Sequence, residues 1–422
     1  MKKIRLALLG LGTIGSGVLK VLTENGGMIR KREGLDIEVV RILVRDTSKK
    51  RSLPVAPGVL TCDADSILND PDIDLVAEFM GGEAPAFEYL QKALRSGKSV
   101  VTANKEVIAK HWDELEEAAK QSGAGLYFEA SVAGGIPIIK SIRRSLQGNH
   151  IQKLMGIING TTNYILTRMS EEGKGFQEVL ADAKRLGYAE PDPTADVEGY
   201  DARFKLSILS TISFRNRIRT EDIYCEGITG ITADDIEYAK QLGYAIKLLA
   251  IAKKQGNVIE ARVHPTFIPL SHPLAAVRDA YNAIYIEGDI VGNLMFYGKG
   301  AGDYPTASAL VSDIITACQN EGSHHRTKLD DDAVMINKDW RDEYYVRMSV
   351  KDQPGVLAEI AGIFGQHGVS IESMIQKNRG VDNATLIFIT HEANEKAIMR
   401  AIEEMKGSPS VSSVDNIIRV ER

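Results

Sequence analysis

Apolar and polar positions along the chain fall into three regimes. From Ile4 to Leu9 a mostly apolar run (IRLALL, broken only by Arg5) predicts a buried strand, followed by a short glycine turn and the helical pattern SGVLKVLTE. Further strands are predicted at IEVVRILVR, DLVAEFMGG, SVVTANKEVIA and Leu126 to Ala130, consistent with an open parallel sheet. In the middle of the chain the period changes. In YDARFKLSILSTISF, Asp201, Lys205, Ile208 and Ile212 recur at i, i+4, i+7 and i+11, which places an acid and a base on one helix face with core residues. The preceding loop carries Glu190, Asp192, Asp196 and Glu198, and Pro191 and Pro193 fix φ and bar helix, so the acids sit on a rigid connector. Asp303 to Pro305 open a long helix expected to return to the first sheet. Residues 321–343 are charged and lack a sustained period, and read as a linker. Beyond them YYVRMSVK alternates as a strand. A helix follows, with Pro354 near its start and Gly368 at its C-terminal cap, then two strands, a helix and a strand: the order βαββαβ, a ferredoxin-like unit.

Composition narrows this picture. With 422 residues and 44% hydrophobic content, the chain should form two or three domains. Cys62, Cys225 and Cys318 are far apart, with no paired spacing and no histidine at ligand spacing, so a reducing, cytoplasmic setting is expected. A net charge of -6 and the lack of a basic cluster interleaved with aromatics exclude nucleic acid as the expected partner. No apolar run approaches a membrane span, so no membrane partner is expected either. His324 and His325 lack a third ligand nearby and read as solvated loop residues.

The chemistry-bearing positions then stand out. Gly10, Gly12, Thr13, Ile14 and Gly15 follow the first strand and open a helix, the context of a dinucleotide-binding turn, where backbone without Cβ atoms lets a pyrophosphate approach the helix start. The second strand ends in Arg45, with Lys49 and Lys50 close behind; these favour the 2′-phosphate of NADP, while Asp46 keeps NAD open. Gly81 and Gly82, and then Lys105, end the next strands, and the carboxyl ends of such strands line the ligand crevice. Lys205 and Asp201 are a candidate proton donor and its orienting acid. A lysine drawn onto an apolar stripe is desolvated, and a neighbouring carboxylate keeps it protonated. An exposed i,i+4 ion pair is the plainer reading of the same spacing. The segment from Glu129 through Gly134, Gly135 and Pro137 is a tight turn, with oxygen ligands that would suit a small hard cation.

GLGTIGSG, TANKEVIA, FEASVAGGIPII, GIINGTTNYIL and AEPDPTADVEGYDARFKLSIL together resemble homoserine dehydrogenase over residues 1–320. The resemblance implies an α/β chain. Its parts are a Rossmann domain (1–130), a mixed α/β catalytic and dimerisation domain (131–320, with 302–320 returning to the Rossmann domain), the linker, and a regulatory domain (344–422). It implies reversible reduction of L-aspartate 4-semialdehyde to L-homoserine with NADP or NAD, on the route to threonine, methionine and isoleucine, in a homodimer or homotetramer. Carried over by motif, Lys205 is the proton donor, Asp201, Glu190 and Asp196 hold the substrate, and Lys105 lies beside nicotinamide and substrate. Glu129 with the carbonyls of Val132, Gly134 and Ile136 matches a sodium site, and Gly187 and Gly302 match positions that close over the cofactor.

The βαββαβ unit, through DQPGVL, resembles an ACT domain. That resemblance implies an amino-acid effector, threonine, at Asp352, Gly355, Val356 and Leu357, where the first strand meets its helix; a purely dimerising role is the alternative. Two rival functions fit parts of this sequence: an aspartate-semialdehyde dehydrogenase, which needs an activated cysteine, and a catalytically silent amino-acid sensor.

Overall fold

The computed structural model describes residues 1–51, 53–319, 328–378 and 383–422; His324, His325 and the first part of the expected linker lie outside the described residues. The chain forms two compact units, one of residues 1–152, 204–222 and 282–332, the other of residues 153–203, 223–281 and 333–422. Among the described residues no helix is long and apolar enough to cross a membrane.

The first unit is built on six parallel strands: β1 (Lys2–Leu9), β2 (Leu35–Leu43), β3 (Leu60–Thr61), β4 (Leu75–Glu78), β5 (Ser99–Thr102) and β6 (Leu126–Tyr127), in the order β3-β2-β1-β4-β5-β6. β1 and β4 read as continuous apolar runs because both faces of the sheet are covered. Helix α1 (Thr13–Glu33) connects β1 to β2 and ends at Gly34, whose φ of 70° and N–H bond to the Arg30 carbonyl make a left-handed cap. The strand order reverses between β1 and β4, which opens the ligand crevice at the carboxyl ends of those strands. The helix Asp303–Gln319 also belongs to this unit. It lies so close to α1 that a Cβ on Gly17 would sit 2.9 Å from the Asp303 carbonyl, and Val18, Leu22, Ala307, Leu310 and Ile314 fill the shared core.

One strand is shorter than its sequence predicts. It stops at Tyr127, and Glu129–Ser131 form a 3-10 turn. The Glu129 N–H donates to the Asp313 carboxylate at 2.8 Å instead of to a neighbouring strand, so the ladder ends before the glutamate.

In the second unit the strands run in space as Ile151–Ile157, Tyr244–Gln255, Val258–Pro269, Val411–Val420, Arg341–Lys351, Asn383–Thr390 and Ile371–Asn378. The last four, with helices Val356–Gln366 and Glu395–Lys406, are the expected βαββαβ module around its own core of Val346, Met348, Ile360, Phe364, Phe388 and Ile402. Its final strand does not stay within the module. It pairs in parallel with Val258–Pro269, Thr266 opposite Arg419 and Phe267 opposite Val420. The described part of the expected linker also carries structure: Met335–Ile336 pairs with Val258–Ile259, and the module's first strand begins at Arg341. These short pairings are too brief to show a period in the sequence.

Buried ions line this junction. Arg262, fully buried, bonds Glu260 at 2.8 Å, Asp342 at 2.8 Å and Glu421 at 3.3 Å. Glu421 also meets Lys153 and Lys253, both at 2.8 Å. Arg347 bonds Asp235 at 2.7 Å. Burial alone would raise the Glu421 carboxyl, but Lys253, Lys153 and Arg262 hold it down at about 2, whereas burial, with Glu421 nearby, pushes Asp342 up to about 7 despite Arg262 and Lys253.

A carboxyl held below its unfolded value of 4.5 contributes stability that is complete above that pH and is lost as the pH falls toward 2. Glu421→Gln should therefore cost about 3 kcal/mol at pH 7 in chemical denaturation, with the deficit shrinking below roughly pH 4. Equal stability of the two chains at pH 7 would show that these cations do not depend on the glutamate.

Candidate active site

At the end of β1 the three glycines differ in what they require. Gly10 has a φ of 110°, and a Cβ on Gly15 would lie 2.4 Å from the Gly10 carbonyl, so the turn itself demands both. Gly12, the N-cap of α1, has a φ of -85° and nothing within 4 Å of where a Cβ would be. The space beside Gly12, Thr13 and Ile14 is open to a ligand approaching the N–H groups of the helix start. Arg45 is exposed past the end of β2. Asp46 beside it accepts from both the N–H and the hydroxyl of Ser48, which hold its carboxyl below the usual range.

The floor of the crevice is a chain of polar contacts. Glu78, fully buried at the end of β4 and raised by that burial, accepts from the Met80 N–H and the Thr102 hydroxyl, both at 2.6 Å. The Asn104 side chain donates to the Gly82 carbonyl at 2.7 Å and accepts from the Val107 N–H. This pins the left-handed Gly81–Gly82 corner and starts the helix Lys105–Lys110, whose first residue, Lys105, is half-buried. Gly302, with a φ of 119°, precedes the helix Asp303–Gln319.

The acidic motif is held by a residue that periodicity did not single out. Helix Tyr200–Phe214 begins and ends where predicted, with Asp201 buried, Lys205 half-buried one turn on, and Ile208 and Ile212 in the core. Asn159, itself buried, donates from Nδ2 to Asp196 at 2.7 Å and to Asp201 at 2.9 Å. Its Oδ1 accepts from the Thr162 N–H at 2.9 Å and so caps the helix Gly160–Glu172. Both carboxylates are thereby tied to one helix start. The signal available in the sequence was Asn-Gly-Thr-Thr before an apolar run, a helix cap. The connector also contains a turn of helix, Thr194–Val197, which starts just past Pro193 and carries Asp196. Glu190 is exposed in the loop and joins neither carboxylate by a hydrogen bond. Gly187, with a φ of 80°, ends the preceding helix through an N–H bond to the Lys184 carbonyl.

Glu129, Val132, Gly134 and Ile136 lie along one buried turn. Ala133 and Gly134 both have positive φ, and a Cβ on Gly134 would meet the Gly300 carbonyl at 2.4 Å. The two oxygens of Glu129 each accept a backbone N–H, from Ile139 and Lys140, at 2.8 Å. The Ile136 carbonyl accepts from Ile138 at 2.8 Å. Burial and the neighbouring Asp313 raise the Glu129 carboxyl to about 7. Each Glu129 oxygen keeps a further lone pair, and carboxylate and carbonyl oxygens are the donor type that a small hard ion takes.

At the regulatory end, Asp352, Gly355 and Leu357 are exposed between strand Arg341–Lys351 and helix Val356–Gln366, Gly355 with a φ of 95°. Val356 instead points into the module's core, so its side chain shapes the turn from within. Burial pushes the Cys225 thiol up to about 11 and the Cys318 thiol up to about 12, which unfits both for attack, and Cys62 is exposed. Neither buried thiol can carry the chemistry of an aspartate-semialdehyde dehydrogenase.

A glycine turn at the carboxyl ends of an open parallel sheet marks the class, a nicotinamide-dependent oxidoreductase, here with an appended βαββαβ module. Family comparisons agree segment by segment. Residues 10–129 match the homoserine dehydrogenase NAD-binding domain, residues 137–315 match homoserine dehydrogenase, and residues 344–407 match the ACT domain. The chain is 46% identical to the homoserine dehydrogenase of Corynebacterium glutamicum, over 99% of this chain and 96% of that one. It is 41% identical to that of Bacillus subtilis, over 100% and 99%. A crystal structure of the Thiobacillus denitrificans homoserine dehydrogenase superposes with a TM-score of 0.94 at 43% identity, covering 100% of this chain and 98% of that one. A hyperthermophilic archaeal homoserine dehydrogenase in complex with NADPH superposes with a TM-score of 0.64 at 28% identity, over 75% of this chain and 98% of that one. The chain belongs to the homoserine dehydrogenase family.

Gly12→Ala should fold with an unchanged melting temperature yet raise the Kd for NADPH roughly tenfold, because its methyl enters only the ligand's space. Gly15→Ala should lower the melting temperature. Unchanged NADPH affinity of Gly12→Ala, by fluorescence titration, would remove Gly12 from the binding turn.

Proposed function

We propose that the chain interconverts L-aspartate 4-semialdehyde and L-homoserine with NADP as the preferred dinucleotide, on the route to threonine, methionine and isoleucine, under feedback by threonine. The observation that carries the catalytic reading is the placement of Asp201 and Lys205 one turn apart on a buried helix start, with Asp201 and Asp196 clamped by Asn159. The nicotinamide supplies the hydride to the aldehyde carbon, or takes it from the alcohol carbon in the reverse direction. As the hydride arrives, negative charge grows on the aldehyde oxygen, and the Lys205 ammonium stabilises it and donates the proton that makes the hydroxyl. In the reverse direction neutral Lys205 takes that proton. Asp201 orients the ammonium, while Asp196 and Glu190 accept the substrate's amino group; Lys105 pairs with its carboxylate. Glu190, exposed on its loop, reaches the substrate only once the substrate is bound.

The exposed Arg45, with Lys49 and Lys50 behind it, supports the 2′-phosphate of NADP, and the relative solved with NADPH supports the same preference. Gly187 and Gly302, left-handed and exposed, are suited to loops that close over the dinucleotide. Glu129 with the carbonyls of Val132, Gly134 and Ile136 would hold a sodium ion, whose part is to fix this turn. Threonine would dock on the exposed turn of Asp352, Gly355 and Leu357, in a homodimer or homotetramer.

Lys205→Ala should lower kcat for homoserine oxidation by about 10²-fold or more and leave NADP affinity near wild type. An equal loss of NADP affinity would move Lys205 out of the proton-transfer role. Millimolar threonine should lower the wild-type rate and raise the melting temperature, and Asp352→Ala should abolish both responses. A wild-type chain indifferent to threonine in both assays would leave the module a dimerising one.

A further inference from the structure

We propose that Arg419, on the last strand of the ACT module, is a positioning residue for the acidic motif: through Glu226 and Gly227 it sets where Asp196 and Asp201 stand. The proposal rests on the reading of those two acids as substrate-binding, and adds to it the means by which the regulatory module bears on them.

Arg419 is almost fully buried. Its guanidinium is shared between two carboxylates, Glu395 of its own module at 2.5 Å and Glu226 of the catalytic segment, and it also donates to the Tyr224 hydroxyl at 3.0 Å. Tyr224 in turn donates to Glu226 at 2.8 Å. The arginine thus holds the segment Tyr224–Ile228 at its polar side with charge-assisted bonds. The other side of that segment is pressed onto the bend that joins Asp196 to Asp201. The Ile228 N–H donates to the Val197 carbonyl at 2.8 Å, and the Cys225 thiol donates to the Glu198 carbonyl at 3.3 Å. A Cβ on Gly227 would lie 2.2 Å from the Val197 carbonyl and 2.5 Å from the Glu198 Cα, so the two backbones are in direct contact. Gly199, in the bend with a φ of 82°, faces Cys225 at 3.1 Å in the same sense. One residue before this bend is Asp196, and two residues after it is Asp201, the pair that Asn159 ties together. A shift of the module's last strand cannot be absorbed at Gly227 without moving Val197–Gly199, because packed backbones leave no slack. The route from the module to the two acids runs through Arg419 on Glu226 and then Gly227 on Val197–Gly199, and lies within one compact unit.

Steady-state homoserine oxidation by the full-length chain tests this. Glu226→Gln keeps the side chain's shape and leaves Glu395 to neutralise Arg419. It should raise KM for homoserine by roughly threefold to thirtyfold, with KM for NADP and the melting temperature near wild type. Arg419→Lys keeps the charge but cannot engage Glu226, Tyr224 and Glu395 together, and should raise the same KM. The double variant should be no worse than the poorer single one, since both act through one contact. Additive effects, or equal rises in both KM values with a lower melting temperature, would assign the pair a general structural role and overturn the link. Asp201→Asn is the reference. If it raises the homoserine KM and Glu226→Gln does not, the link falls while the site reading stands. If Asp201→Asn changes neither KM nor kcat, the site reading falls and the link with it.

Discussion

One side-chain amide organises the catalytic half of this chain. Two carboxylates five residues apart would repel each other across a half-buried bend, and the Nδ2 group of Asn159 gives each of them a hydrogen. The same residue spends its oxygen on the start of helix Gly160–Glu172, so the acids are referenced to a rigid element and not to their own loop. Lys205 follows from Asp201 by helix geometry alone, one turn along. In the roles proposed for them, Lys205, Asp201 and Asp196 take their places from one cap.

The ACT module is joined to the strand Val258–Pro269 by the opposite kind of chemistry. Its last strand pairs with Val258–Pro269, and Arg262, Arg347 and Arg419 are buried against carboxylates drawn from both segments. Removing one partner from such a cluster leaves an uncompensated buried charge, which is costly; an apolar junction would tolerate truncation better. A buried ionic junction is also specific in register, since each arginine has its own acids.

Much of this architecture was legible in the sequence, and the failures have physical causes. The dinucleotide crevice was readable because a parallel sheet writes itself as apolar runs ending in glycine. Helix Tyr200–Phe214 was readable because its polar pair interrupts an otherwise apolar stripe. Asn159 was not, since an asparagine before Gly-Thr-Thr is fully explained by capping, and its second set of partners lies 37 and 42 residues away. The buried arginines were hidden for the same reason. In an alternating strand, Arg262 and Arg419 occupy positions that read as solvent-facing, and their acids lie as far as 193 residues off. Glu129 was placed on a strand because LYFEA has strand composition; a distant carboxylate, Asp313, captures its N–H and ends the ladder.

The most direct test of the central claim is a crystal structure of the chain with NADP and L-homoserine bound. The account predicts the substrate hydroxyl within hydrogen-bond reach of Lys205 Nζ and its amino group against Asp196 and Glu190, with Asn159 still bridging Asp196 and Asp201. Homoserine bound with its hydroxyl away from Lys205, or with Asn159 released from both acids, would contradict it.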